Sequence, residues 1–298
     1  SKILNIVLTN RANGSSKIEL AGFPYHSLDN YLPKLVRSGQ RVAICDQLED
    51  PKISKGIVKR GVTELVTPGL SYNDLVLDVK KNNFLAAIYY SNKNIGIAFL
   101  DISTGEFLVS EGSKIYIDKL LQSFKPTEIL FQRDCKSKIL DEFKLSSNYF
   151  FIDEWVFNVD YTNDLLLKKF NVKSLKGFGV NELQSALISA GVILHYLNET
   201  HHNKTQHIIS INRIEQDKYL WMDKFTINNL ELFSSNNESA KTLFDIINKT
   251  QSPMGARLLR RWLALPLKNT ESLNYRHNIV EELIKNDKVA LTIENRIS

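Results

Sequence analysis

Two apolar runs, Phe84–Tyr90 and Ile95–Ile102, restrict this chain more than any other feature. Both are rich in β-branched and aromatic residues, and only Ser91-Asn92-Lys93-Asn94 separates them. That pattern predicts a β-hairpin. Thr104-Gly105 then forms a second turn into a strand over Glu106–Val109. After this meander the rhythm changes. Lys114–Phe124 has helical spacing and stops before Pro126, and Glu128–Phe131 and Asn148–Ile152 are short strands. Glu182–Glu199 is the longest helical pattern, with Leu183, Leu187, Ala190, Leu194 and Leu197 on one face. A meander followed by alternating helices and strands predicts a mixed sheet with helices packed on it.

The flanks differ. Residues Ser1 to about Leu75 read as a small α/β unit. Leu28, Tyr31, Leu32, Leu35 and Val36 mark one helical face, with Ser27 as N-cap and Gly39 as a left-handed C-terminal cap. Pro33 inside that span predicts a kink or a later start. Arg41–Cys45 and Val62–Val66 read as strands, the second closed by Pro68-Gly69. His201–His207 is polar and reads as a linker. Beyond it the chain is mainly helical, with Ser252-Pro253 opening a helix that runs through Leu263 and ends before Pro266. The expected fold class is therefore α/β multi-domain, in three parts: 1–75, 76–205 and 206–298.

A formal net charge of +5 is compatible with a nucleic-acid partner without arguing for one. Cys45 and Cys135 have no CxxC companion, which predicts reduced thiols of a cytosolic protein. The longest apolar stretches, Phe84–Tyr90 and Ala186–Leu197, are too short to span a bilayer. The N-terminus shows no signal pattern, so the cytoplasm is the expected compartment.

Two stretches are basic without an acid: Lys52, Lys55, Lys59 and Arg60, then Arg257, Arg260, Arg261 and Lys268. Phosphate contacts need cations not already paired. Composition alone reads both stretches first as solvated surface and second as a nucleic-acid interface. The histidines His201, His202 and His207 lack partners at metal-ligand intervals and read as solvent-exposed. Asp101, Glu106, Asp118 and Asp153 raise a nuclease possibility, because two-metal hydrolysis uses clustered acids on a mixed sheet. Against it, Asp101 is also an ordinary strand-to-turn residue. No GxxxxGK[ST] loop and no Gly-x-Ser-x-Gly elbow appears.

Three passages carry a resemblance. Ala21-Gly22-Phe23-Pro24-Tyr25-His26, with Val42-Ala43-Ile44-Cys45 and Val66-Thr67-Pro68-Gly69, is similar to the later part of the MutS mismatch-recognition domain. Leu100-Asp101-Ile102-Ser103-Thr104-Gly105-Glu106-Phe107, with Gly177-Phe178-Gly179-Val180, resembles the MutS connector domain. Thr242-Leu243-Phe244-Asp245, then Pro253-Met254-Gly255-Ala256-Arg257-Leu258-Leu259 and Trp262-Leu263, looks like the start of the MutS core or lever domain.

The resemblance implies an RNase H-like connector without nuclease activity and a chain that is not itself an enzyme. It implies an internal fragment, with the family's Phe-x-Glu mismatch wedge upstream and its P-loop ATPase downstream. ATP and Mg then belong to the parent protein and no cofactor to this chain. Phe23 is not the wedge and reads as a structural aromatic. Implied partners are duplex DNA with mismatches or small loops, MutL, and a second copy in a homodimer or higher oligomer, with no membrane. Arg11, Lys55 and Arg60 are expected at the DNA backbone. Asp164 and Leu165, within Tyr161–Phe170, are expected on the MutL-facing surface. Leu258, Leu259 and Leu263 should anchor one face of their helix in the core, with Arg257 and Arg261 on another. The alternative remains a metal-dependent nuclease built on the middle domain.

Overall fold

The computed structural model describes residues 1–13, 16–50, 56–71, 78–91, 94–135, 148–202, 204–235, 237 and 239–297. At its centre lies a six-stranded sheet. β5 (Phe84–Tyr90), β6 (Ile95–Asp101) and β7 (Glu106–Gly112) form the expected antiparallel meander. β8 (Glu128–Gln132) pairs parallel to β5, and β9 (Asn148–Ile152) pairs parallel to β8. On the opposite edge, Asn212–Arg213 (β10) adds a short parallel strand to β7 that sequence patterning did not reveal. The order is β10-β7-β6-β5-β8-β9.

Alternation along the strands separates two cores. Leu85, Ala87, Ala98, Leu100, Phe107 and Val109 face one side. Phe84, Ala86, Ile88, Ile97, Phe99 and Leu108 face the other. The first side is covered by α3 (Val159–Phe170) and α4 (Gln184–Glu199), the second by α2 (Lys114–Phe124). With both faces covered, the strands read as unbroken apolar runs. Ser113 caps α2 by accepting from Tyr116 N, and Asn158 caps α3 by accepting from Tyr161 N.

α4 departs from the one-faced expectation, since every residue from Ser185 to Leu197 is buried. The reason is close approach to the sheet. A Cβ at Gly96 on β6 would lie 2.1 Å from the Ser185 carbonyl carbon, so only glycine lets helix backbone rest on strand backbone there. The polar residues of α4 bond inward, as when Ser189 donates to the Gly96 carbonyl at 3.0 Å.

The N-terminal unit holds two separate two-stranded ribbons, β1 (Thr9–Asn13) with β2 (Ser16–Leu20) and β3 (Val42–Gln47) with β4 (Arg60–Val66). α1 (Leu28–Arg37) packs Leu32 and Val36 against Val66. It continues through Pro33 without the later start expected. The proline removes only the bond to the carbonyl of exposed Asp29, in the first turn. Ser27 stands at the N-cap, but its side chain makes no capping bond. Gly39 (φ +84°) closes the helix with Gly39 N to Val36 O at 2.9 Å and Gln40 N to Leu35 O at 3.1 Å, the paired bonds of a Schellman cap.

Beyond β10 lie α5 (Lys224–Asn229), α6 (Leu243–Ile247), α7 (Pro253–Ala264), α8 (Thr270–Lys285) and α9 (Asp287–Ile297). α7 begins as expected, with Ser252 Oγ accepting from Gly255 N at 3.2 Å and Pro253 in the first turn. Its anchoring differs from expectation: Leu258 is 45% exposed, and the buried residues are Ala256 and Ala264. No residue of α8 or α9 is buried, and Ile284, Val289 and Leu291 are exposed.

Candidate functional site

The two DNA-facing candidates that fall on described residues stand on different ribbons. Arg11 is exposed on β1, opposite Ile18, in a hairpin closed by Thr9 Oγ1 donating to Leu20 O at 2.9 Å. Arg60 is exposed at the start of β4, opposite Gln47. Beside it, Lys59 N donates to Glu49 Oε1 at 2.6 Å, which fixes the mouth of the ribbon. Lys52 and Lys55 lie outside the described residues. Phe23 is partly buried and stacks on Tyr31 with ring centroids 4.5 Å apart, the contact of a structural aromatic.

The three arginines of the second basic stretch make contacts within the chain, and Lys268 is exposed. Arg257 Nη1 donates to Val79 O at 2.6 Å. Arg260 lies over Phe233 and Phe244, 4.3 and 5.5 Å from the ring centroids. Burial lowers the Arg260 pKa, with Asp78 and Asp245 pulling the other way. Arg261 forms an ion pair with Glu106. Arg261 ties α7 to the central sheet at β7, and Arg257 ties it to the segment just before β5.

Glu106 is also reached by Asn82 Nδ2 at 3.3 Å, and the same Asn82 donates to Asp101 at 2.8 Å. Asp101 is fully buried and accepts further bonds from Asn83 N, Ser103 N and Ser103 Oγ at 3.3, 3.0 and 2.6 Å. Its carboxylate thus organises the β6–β7 turn. Asp118 accepts from Gln122 at 2.7 Å, and Asp153 pairs with Arg133 at 3.0 Å. Asp101 and Glu106 share the β6–β7 turn, while Asp118 and Asp153 lie in separate local structures. Among the described residues, no group of three or more His, Cys, Asp or Glu is placed to hold a metal ion.

A second junction joins the N-terminal unit to the sheet. Glu128, first residue of β8, is 2% exposed. Its Oε2 accepts from Thr67 Oγ1 at 2.6 Å and Gly69 N at 2.9 Å, and its Oε1 accepts from Tyr196 Oη at 2.6 Å. Burial and the neighbouring Glu128 raise the Tyr196 pKa, which keeps the phenol a donor. Arg41 lies 3.8 Å from the Phe150 ring centroid and 5.5 Å from that of Tyr196. Leu65 N donates to Thr200 O at 3.2 Å.

One of the expected linker histidines, His202, belongs to this framework, contrary to the solvent-exposed reading. His202 is 4% exposed, with Nδ1 2.9 Å from Thr200 Oγ1 and Nε2 3.7 Å from Glu64 Oε1. Burial pulls its pKa down. His207 Nε2 donates to Ile102 O at 2.6 Å. Of the three, His202 alone is buried, and His201 and His207 are exposed. Polar composition suggested a linker, but the segment follows α4 back along the sheet, where its rings find backbone partners. Glu128 was missed as well. Its one sequence signal is an acid heading the apolar run Ile129-Leu130-Phe131.

On α3, Asp164 is exposed, while Leu165 is partly buried and packs on the core. No helix among the described residues is long and apolar enough to cross a membrane.

Comparison with known proteins gives matches to MutS domain I over residues 1–74, MutS domain II over 83–209 and MutS domain III over 225–298. A DNA mismatch repair protein MutS from Christiangramia forsetii is 56% identical over 297 residues, covering 100% of this chain and 34% of the relative. The proteins of that name from Flavobacterium johnsoniae and Bacteroides fragilis are 57% and 52% identical over 298 residues, covering 100% of the chain and 34% and 35% of each relative. The chain therefore spans about a third of the length of these relatives. Matched by three successive domains of one family and by close relatives along its whole length, the chain belongs to the MutS family of DNA mismatch repair proteins.

Proposed function

We propose that this chain is a non-catalytic DNA-positioning and coupling segment of a longer mismatch-repair protein. In that protein, binding of mismatched duplex DNA is linked through these domains to an ATP- and Mg-dependent engine and to MutL, in the cytoplasm and in a homodimer or larger assembly. The observation that carries the reading is the pair of junctions on the central sheet. Glu128 holds the Thr67–Gly69 turn, and Glu106 holds Arg261, so the N-terminal unit and α7 are each bonded to the same rigid element. Coupling between distant sites requires such contiguous contacts.

The order β7-β6-β5-β8-β9, with a three-strand antiparallel meander and two added parallel strands, supports the RNase H-like reading of the middle domain. The dispersed acids and the three family matches favour a coupling domain over a metal-dependent nuclease. The chain's three parts are 1–75, 76–205 and 206–298, each from a separate domain of the longer protein. Asp164 and Leu165 on α3 face MutL.

Arg11 and Arg60 hold DNA by its phosphates, which are the same for every base and so position without reading. Lys55 joins them on sequence grounds. Each lost phosphate contact reduces the slope of log K against log salt by about 0.9. Arg11→Ala with Arg60→Ala should therefore flatten the slope by about 2 in a fluorescence titration with duplex DNA. An unchanged slope would remove both residues from the interface.

A further inference from the structure

We propose that the recess where β5 and β8 end against the start of α3 is a receptor for an arginine side chain of a protein partner. The cavity measures about 640 Å³. Tyr89 and Phe157 stack along one wall with centroids 5.9 Å apart, and Phe157 is buried. Trp155 and Tyr161 form the other wall, 5.3 Å apart, yet Trp155 remains 60% exposed. A large aromatic left open to water but fixed on one edge is an available π face.

The fixing is specific. Tyr161 Oη lies 2.8 Å from His195 Nδ1, and His195 Nε2 lies 3.3 Å from Glu199 Oε1. The His195 ring also meets Trp155 edge-on at 5.3 Å. Glu199, His195 and Tyr161 thus hold the wall from behind, in the geometry of a pre-organised site.

Charge selects the occupant. Glu154 lines the recess, Glu199 stands behind it, and Asp134 accepts from lining residue Gln132 at 3.2 Å. The nearby cation Arg133 is neutralised by Asp153 at 3.0 Å. This is an acidic, aromatic cavity on a chain of formal net charge +5. Aromatic faces attract cations, and a planar guanidinium both stacks on them and offers forked donors. Here those donors meet the Glu154 carboxylate and Gln132 Oε1, the acceptor left by the amide whose Nε2 donates to Asp134. A lysine ammonium would gain the charge but not the stacking. The inference goes beyond the proposed function and does not rest on the Asp164–Leu165 assignment.

The test uses tryptophan indole N–H resonances of the whole chain, titrated with N-acetyl-arginine-N-methylamide, the citrulline analogue and tetramethylammonium. Trp221, which donates to Gln216 O at 2.7 Å, and Trp262, already covered by Arg276 at 3.9 Å, serve as internal references. The expected result is a saturable shift of the Trp155 resonance alone, in about the millimolar range for the arginine derivative. Glu154→Gln should weaken binding about threefold or more while leaving the other two resonances in place. No saturable Trp155 shift, or an equal response to the citrulline analogue, would overturn the proposal. Tetramethylammonium binding as tightly as arginine would also overturn it, by showing a general cation cage.

Discussion

Replacing Glu128 is the sharpest probe of how the N-terminal unit is held. The carboxylate is 2% exposed and accepts three hydrogen bonds, from Thr67, Gly69 and Tyr196. Glu128→Ala leaves three donors facing a void. A buried donor without an acceptor costs about 1–3 kcal/mol, and single substitutions rarely exceed about 5, so the expected loss is about 3–5 kcal/mol. Glu128→Gln keeps the shape but turns one acceptor into a donor, for about 1.5–3 kcal/mol. Tyr196→Phe removes one bond and keeps the ring, for about 1–2 kcal/mol. Because a chain of several domains need not unfold in one step, the decisive assay is local. Hydrogen exchange at the Gly69 amide should accelerate strongly in Glu128→Gln and less in Tyr196→Phe, alongside urea unfolding. In addition, Glu128→Gln and Thr67→Val should be non-additive, since they share one bond. If Glu128→Ala leaves both Gly69 exchange and the unfolding midpoint unchanged, the junction does not hold the two units together.

Two further predictions concern the other contacts. Arg261→Ala breaks a partly buried pair and leaves Glu106 with Asn82 alone, so exchange over residues 253–264 should rise and stability fall by about 1–3 kcal/mol; unchanged exchange would count against the sheet-to-α7 junction. His202 should destabilise the chain as pH falls below about 6.5: its folded pKa is lowered, so the unfolded state binds more protons there and stability rises with pH until both states are neutral. His202→Asn should flatten a thermal-stability profile between about pH 5 and 7, and a profile parallel to that of the unsubstituted chain would refute this.

The central sheet was legible because its strands are short apolar runs punctuated by turn residues, signals that are local. α2 and β9 have the boundaries that spacing predicted, and the Schellman cap at Gly39 follows from one glycine. What escaped the sequence depends on distant partners. The outer face of α4 looks free until α3 and the backbone around Gly96 cover it. Arg257 and Arg261 read as unpaired cations because Val79 and Glu106 lie far away along the chain. His202 reads as solvated because burial is not a property of a polar heptapeptide. β10 has two residues, too few for any periodicity. The family resemblance was carried by ordered motifs, whereas the site residues Arg11, Arg60, Asp164 and Leu165 rest on single positions.

In the proposed function this segment holds DNA by its backbone and leaves base reading to other parts of the protein. The most direct measurement is a fluorescence titration of the 298-residue chain against matched G·C and mismatched G·T duplexes over a salt series. Phosphate attraction alone gives dissociation constants of about 10⁻⁴ to 10⁻⁶ M at physiological salt, equal for the two duplexes. A preference of about tenfold for the mismatch, about 1.4 kcal/mol of discrimination, would place a reading element within these residues and refute backbone-only binding.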